Sequence, residues 1–326
     1  MPVRKSPRHD PITDELQSKI KTLHSSIWER RADWPEVLDW LNQFEEHDDP
    51  DADEQLQALR LLSSFMYFGV NEMRALLRSL FRDTFRPQVA KEVRAGLHPS
   101  TTLSIVGSMV DVELRHTRFV SLGNPSESSA LLLYYFRQEN LLPKNLFLHG
   151  SDIFDLSDIG SDVGLKVQDT SITRYVFIDD LCGSGHQGRE YSDRIVKPLK
   201  SIKPDVKTYY YPIFGLSDGI QYLRTHSTFD EVYPVVELDP TFRAFATDSR
   251  LYVEPEIAPL RLPTEATCRR YGSQLVPAHP LGWEDGQLYI GFAHNTPDNS
   301  LPIFWCDHTS PKPWRPIFRR YPKVSW

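Results

Sequence analysis

The sequence predicts an α/β fold: a mostly parallel sheet with flanking helices, preceded by a helical N-terminal region and followed by an extension rich in proline and aromatics. Three observations predict it. After residue 115, short and almost continuously apolar runs recur, each followed by a small-residue turn and a helical pattern, as in a parallel sheet covered on both faces. Before that point apolar residues recur at three- and four-residue spacing, the period of a helix with one buried face. From residue 257 neither pattern holds, and prolines and tryptophans gather. These changes of texture divide the chain into 1–110, 111–256 and 257–326, the last expected to pack on the core or dock a partner.

In the N-terminal region Leu16, Ile20, Leu23 and Ile27 mark a first helix. Val37, Leu38, Leu41 and Phe44 mark a second, entered through Trp34-Pro35, since proline suits a first helical turn. The acidic stretch 45–54 reads as a solvated connector. Leu56, Leu59, Leu62 and Phe65 predict a third helix ending near Gly69. Met73, Leu76, Leu77, Leu80 and Phe81 predict a fourth, capped by Asn71 and closed before Pro87. The turn Phe68-Gly69-Val70 between them fits either a helix-turn-helix or a plain bundle, and the mixture of Arg with acids on their solvent side favours the bundle.

In the central region strands are expected at 118–122, 145–149, 174–180 and 206–211, with helices at 130–136, 188–199 and 217–223. Residues 232–236 are strand-like, and Glu237 and Asp239 follow them, either lining a pocket or serving as loop acids. In the extension, Trp283, Phe304, Trp305, Trp314, Phe318, Tyr321 and Trp326 need burial, most simply by wrapping over the α/β core. Lys312, Arg315, Arg319, Arg320 and Lys323 make this end locally basic.

Composition narrows the function classes. The 326 residues carry 37 Lys+Arg against 44 Asp+Glu, a net charge of −7, which argues against general coating of nucleic acid. Hydrophobic residues at 40% exclude wholesale disorder. No apolar run approaches the roughly 18 residues of a membrane span, so no membrane partner is expected. The basic start, residues 1–8, lacks the apolar run of a secretory signal. Cys182, Cys268 and Cys306 are too few and scattered for a disulfide framework or a zinc site, which suits a reducing cytoplasm. His279, His294 and His308 lack metal-ligand spacing, and Asp307-His308 lacks the other ligands of a phosphohydrolase.

The segment that carries chemistry runs from Val176 to Gln187, VFIDDLCGSGHQ. It delivers two carboxylates, Asp179 and Asp180, at the carboxyl end of a buried strand, where open α/β sheets bind ligands. The turn Gly183-Ser184-Gly185 then lets backbone N–H groups converge at a helix start, a setting suited to phosphate. Acids beside a phosphate cradle describe a site for a phosphorylated ribose, since neighbouring buried acids are costly unless something uses them. Cys182 reads as a space-filling residue rather than a nucleophile, and His186 as a candidate ligand contact.

This segment resembles the phosphoribosyl-pyrophosphate loop of type I phosphoribosyltransferases: an apolar strand, two acids, three variable residues, Thr or Ser, then Gly. The resemblance implies a phosphoribosyltransferase-like core in which Asp179 and Asp180 take the ribose hydroxyls and serve catalysis. It implies that Leu181, Cys182, Gly183, Ser184, Gly185, His186 and Gln187 form the 5′-phosphate loop. The family usually continues with Gly and Thr, where this chain has His186 and Gln187. By place, one strand-turn-helix unit upstream, Gly123, Asn124, Pro125, Ser126, Glu127 and Ser128 would be the pyrophosphate loop. A magnesium ion is implied as well, met by Asp179 and Asp180 only indirectly. The flanks, with the 237–241 segment and the 295–305 stretch, are similar to the phosphoribosyltransferase-like effectors of bacterial anti-phage systems, some of them retron-associated. That implies an effector acting on nucleotides, controlled by a partner protein or nucleic acid. The alternative is a non-catalytic nucleotide sensor or scaffold on the same fold.

Overall fold

A computed structural model describes residues 11–48, 53–122, 128–155, 165–307 and 313–321. In chain order it has helices α1 (Pro11–Ser26), α2 (Trp34–Leu41) and α3 (Glu54–Ser63), strand β1 (Met66–Phe68), then helices α4 (Val70–Ser79), α5 (Arg86–Ala95) and α6 (Leu103–Arg115). Strand β2 (Thr117–Ser121), helix α7 (Ser128–Glu139) and the short strands β3 (Phe147–Leu148), β4 (Phe154–Asp155) and β5 (Lys166–Val167) follow. Then come β6 (Arg174–Cys182), α8 (His186–Tyr191), α9 (Lys197–Ile202), β7 (Lys207–Leu216), α10 (Ser217–His226), β8 (Glu231–Val232) and β9 (Val236–Leu238). Helix α11 (Arg261–Leu275), β10 (Ile290–Phe292) and the one-turn helix α12 (Pro302–Trp305) complete it.

The local chemistry explains the starts. Asp33 and Glu36 form a reciprocal capping box on α2, with Pro35 in its first turn, and the Asp53 carboxylate accepts the Leu56 N–H to start α3. The fourth helix does not close before Pro87. A π-helical segment, Leu80–Phe85, joins α4 to α5, and proline sits in the first turn of α5. A second π segment, Ser192–Val196, likewise precedes Pro198 in α9. Proline lacks an N–H and crowds the carbonyl four residues back, and the wider π turn relieves both problems. Asn71 lies inside α4, one residue past its start, and not at its N-cap. Phe65 falls outside α3, and Met66–Phe68 pairs in parallel with Ile290–Phe292. A strand therefore separates α3 from α4, which removes the helix-turn-helix reading.

The chain divides into two compact units, Met1–Met73 with Pro240–Trp326, and Arg74–Asp239. These differ from the divisions at 110 and 256 suggested by sequence texture. Phe81 and Phe85 pack edge-on against Phe119 of β2, so the helical chain from Arg74 onward belongs with the sheet. Ala244, Phe245 and the extension share one core with α1 to α3, built on Trp28, Trp40, Phe44, Phe65, Tyr271, Phe304, Trp314 and Phe318. The indole N–H groups of Trp40 and Trp314 both reach the Ile303 carbonyl, at 2.9 and 3.1 Å, which satisfies them inside that core. Of the aromatics expected to be buried, Trp283 and Tyr321 are instead exposed.

The second unit is organised by a six-stranded sheet in the order β3-β2-β6-β7-β8, with β9 pairing the far end of β7, and every pair is parallel. Counted by appearance within the sheet, the order is 2-1-3-4-5, a doubly wound arrangement whose direction reverses between β2 and β6. The sequence reading of a mostly parallel sheet with helices around it is correct. Val176, Phe177 and Ile178 in β6 and Tyr211, Ile213 and Phe214 in β7 have no exposed surface, as strands covered on both faces require. At the amino ends Arg174, also buried, bonds Glu92 at 3.0 Å, Glu113 at 3.1 Å and the Tyr209 hydroxyl at 3.3 Å, while Lys207 and Tyr209 donate to Glu92 as well.

Candidate functional site

The carboxyl ends of β2 and β6 lie side by side, with Ser121 paired to Ile178, at the point where the sheet order reverses. In such sheets that crevice is where ligands bind. Asp179 and Asp180 come next on β6. The Asp179 side chain is buried, with one oxygen accepting the Asp180 N–H at 3.0 Å and the other the Tyr210 hydroxyl at 3.1 Å. Burial first, and the Asp180 charge second, hold the Asp179 carboxyl well above the usual carboxylate range, and the bond from Tyr210 offsets this only in part. Asp180 is half-buried and accepts the Leu181 N–H at 2.8 Å.

The strand runs further than its sequence suggests. Leu181 pairs with Phe214 and Cys182 with Gly215, so the turn begins only at Gly183. Cys182 is buried in the core with Tyr210, Ile220 and Leu223. Burial, then the Asp179 charge, push its thiol up to about 12, so it stays protonated, as a space-filling residue would. Gly185 adopts a left-handed φ of +84° just before α8, a conformation that glycine alone adopts freely. The loop is wedged against α10. A Cβ on Gly185 would lie 2.8 Å from the Gly219 carbonyl oxygen, and a Cβ on Gly219 would lie 1.8 Å from the Gly183 carbonyl oxygen. Ser184 Oγ accepts the His186 N–H at 3.5 Å, and the exposed His186 ring meets Tyr222 edge-on at 5.2 Å. Gln187 is exposed too.

Other residues gather at the same end of the sheet. Glu237 lies on β9 level with Gly215 and Cys182, is exposed, and accepts the Ser217 hydroxyl at 2.7 Å. Asp239 follows β9 directly. Gly123, Asn124, Pro125, Ser126 and Glu127 lie outside the described residues, and Ser128 enters only as the first residue of α7. Flanking them, the buried Ser129 hydroxyl donates to the Leu122 carbonyl at 2.5 Å and ties the two ends of that loop together. Gly219, Tyr210 and Ser129 are the residues the motif did not reveal. A glycine in the first turn of a helix was the available signal for Gly219, since that position otherwise costs helix stability. Among the described residues, no three His, Cys, Asp or Glu side chains cluster as a metal site.

A model of the PRTase-CE family matches residues 37–320, most of the chain. This chain belongs to the PRTase-CE family. The match spans both compact units, and with the sheet order it makes the fold of this PRTase-CE protein phosphoribosyltransferase-like. Comparison with curated proteins gives no match. Solved structures similar to it include the xanthine-guanine-hypoxanthine phosphoribosyltransferase of Helicobacter pylori, at 9% identity over 53% of this chain and 89% of that one, with a TM-score of 0.25. The AQ2163 protein from Aquifex aeolicus is 10% identical over 64% and 86%, with a TM-score of 0.28. The hypoxanthine phosphoribosyltransferase of Trypanosoma cruzi is 14% identical over 53% and 80%, with a TM-score of 0.25. Overlap at that level carries no argument about the site. Among the described residues, no helix is long and apolar enough to cross a membrane.

Proposed function

We propose that this PRTase-CE protein binds a phosphoribosyl ligand, phosphoribosyl pyrophosphate or a nucleotide, at the carboxyl end of β6. The observation that carries this reading is the succession of two carboxylates and a glycine-wedged turn at the reversal point of the sheet. The ribose would meet the acids and the 5′-phosphate the backbone of residues 183–187, at the start of the helical run from His186. The reaction would be substitution at ribose C1, with pyrophosphate leaving in one direction and a base in the other. Such a centre needs positioning and charge stabilisation more than a protein nucleophile, in keeping with a Cys182 thiol that stays protonated.

Magnesium suits these residues only in one form. With Asp179 buried and both its oxygens engaged, the half-buried Asp180 would be the more accessible of the two acids to an ion carried chiefly by the ligand's phosphates, a pattern magnesium accepts. When bound, the ion neutralises the pyrophosphate as it leaves. The protein's part is to hold the ribose and the 5′-phosphate in register.

The resemblance in the flanks supports a cellular role as an effector of anti-phage defence in the cytoplasm, acting on nucleotides under control of a partner protein or nucleic acid. Calorimetry with phosphoribosyl pyrophosphate and magnesium tests the site. Wild type should release heat, and the double variant Asp179→Asn, Asp180→Asn should not while unfolding at a similar temperature; equal affinities would sink the assignment. A mass-spectrometric inventory of cellular nucleotides before and after expression tests the activity. The exposed His186 and Gln187, where the resembling family has Gly and Thr, favour a second reading as a nucleotide sensor. A ligand that raises the unfolding temperature yet is never consumed would decide for it.

A further inference from the structure

We propose that Arg60, Arg261 and Tyr252 form a site for a phosphate group in the compact unit made of Met1–Met73 and Pro240–Trp326. This does not depend on the phosphoribosyl reading above. Helices α3 and α11 pack antiparallel along a polar seam. Tyr271 donates to Glu54 at 2.7 Å, and Arg270 pairs with the same carboxylate. One turn further along α3, and one turn back along α11, the Thr267 hydroxyl donates to Gln57 at 2.7 Å. Glu54, Gln57 and Thr267 are all buried, and each has its partner across the seam. A further turn in the same directions sets Arg60 level with the buried Thr264. There the pairing stops. The Thr264 hydroxyl donates to the Leu260 carbonyl at 2.7 Å, and Arg60 Nε lies out of water with no acceptor.

A second cation bears on the same place. Arg261 opens α11, one turn before Thr264, and is held by an N–H donated to the Phe245 carbonyl at 2.8 Å. Burial keeps the Tyr252 hydroxyl above its ordinary range, while the Thr264 hydroxyl and then the charges of Arg261 and Arg60 pull it back, so both guanidiniums act on this one group. The only acids on α3 and α11, Glu54 and Glu265, are taken by Arg270 and Arg269. Among the described residues neither Arg60 nor Arg261 has a carboxylate partner. Two guanidiniums converging without an acid, one of them at a helix start that is already positive, leave a charge for a bound anion to neutralise. A phosphate dianion answers both cations through their N–H forks, where a single carboxylate would answer one. Arg60, Arg261 and Tyr252 are each half-buried, which leaves the site open to a ligand from solvent.

The experiment is calorimetry and thermal unfolding of the full chain in phosphate-free buffer, with inorganic phosphate and 5′-AMP as probes. The proteins are wild type, Arg60→Gln, Arg261→Gln and Tyr252→Phe, and the 5′-AMP arm uses the Asp179→Asn, Asp180→Asn background to keep the phosphoribosyl site out of the reading. Phosphate at about ten times its dissociation constant should raise the wild-type unfolding temperature by about 3–5 °C. Arg60→Gln and Arg261→Gln should each weaken phosphate binding by about tenfold or more, and Tyr252→Phe by about threefold. Without phosphate, Arg60→Gln should unfold at the wild-type temperature or above, because it removes an uncompensated charge, whereas a cation that serves the fold would lower it. Tighter binding of 5′-AMP than of phosphate supports the site with an organic phosphate as its occupant, and equal binding supports it with free phosphate. Unchanged phosphate affinity in Arg60→Gln and Arg261→Gln would overturn the proposal by placing the anion elsewhere, as at the 183–187 loop. No response of the wild type to either probe would overturn it as well. Arg261→Gln decides the matter where Arg60→Gln fails to fold.

Discussion

Replacing Glu92 by Gln removes the charge at the centre of the network at the amino ends of β6 and β7 while keeping the side chain's shape. Its carboxylate takes Arg174, whose side chain is 3% exposed, along with Lys207 at 44% and the Tyr209 hydroxyl. The Arg174 bond dominates, because charge-assisted bonds out of water are worth about 1.5–3 kcal/mol. Lys207 adds at most about 0.5 kcal/mol after solvent screening, and Tyr209 can still donate to an amide oxygen. Arg174 keeps Glu113, 35% exposed, as a partial replacement, which limits the damage. The expected loss is about 2–4 kcal/mol at pH 7, or roughly 5–15 °C in unfolding temperature for a unit of this size.

The sign of the pH dependence follows from Glu92's own shift. Burial alone would raise its pKa, but the bonds from Lys207 and Tyr209 and the charge of Arg174 outweigh burial and lower it. A depressed carboxylate adds stability that is present above its unfolded value, near 4.3, and lost as pH falls through the folded one. Urea denaturation of wild type and Glu92→Gln between pH 3 and pH 8 should therefore show a constant gap from about pH 6 upward, closing below about pH 4. A gap equally wide at pH 3, or one under about 0.5 kcal/mol at pH 7, would refute the reasoning, since it would mean that Arg174 does not depend on this charge.

Two other outcomes follow. Gly219→Ala gains helix propensity but places a methyl 1.8 Å from the Gly183 carbonyl, so it should cost about 1–3 kcal/mol and weaken phosphoribosyl pyrophosphate binding in calorimetry; normal affinity would mean that the loop is not wedged. Phe318→Ala removes a ring stacked on Phe65 at 4.2 Å and set edge-on to Trp28 at 5.2 Å, and should cost about 3–5 kcal/mol by denaturant titration; a loss under about 1 kcal/mol would show that the C-terminal segment is not part of that core.

The sequence displayed what is local and hid what is not. Parallel strands were readable at Val176 to Ile178 because burial on both faces leaves a continuous apolar run, and the acids followed at once. Tyr210, 31 residues from Asp179 and one of three consecutive tyrosines, carried no mark of its partner, which only strand register supplies. Strand β1 is three residues long and pairs with Ile290–Phe292 near the other end of the chain, so periodicity assigned it to a helix boundary. Pro87 looked like a stop because proline usually is one, and a π turn cannot be read from residue identity. The late aromatics signalled burial, expected over the α/β core, whereas Phe304, Trp314 and Phe318 share their core with the first three helices.

Strand β6 joins two demands at opposite ends. At Arg174 it carries a buried cation that makes sense only as part of a satisfied network, and at Asp179 a buried acid whose neighbour Asp180 is left partly open. Tyr175 to Ile178 between them are buried, and Val176, Phe177 and Ile178 have no polar side-chain atoms with which to link the two ends. Coupling between them would have to pass through strand packing alone, which transmits a rigid-body shift but does little for the loss of one charge. Glu92→Gln should then lower the unfolding temperature without changing the affinity for phosphoribosyl pyrophosphate measured well below that temperature, and Asp180→Asn should do the reverse. If both variants lost affinity and stability together, the sheet would be a single cooperative device rather than a rigid support with a ligand site at one end.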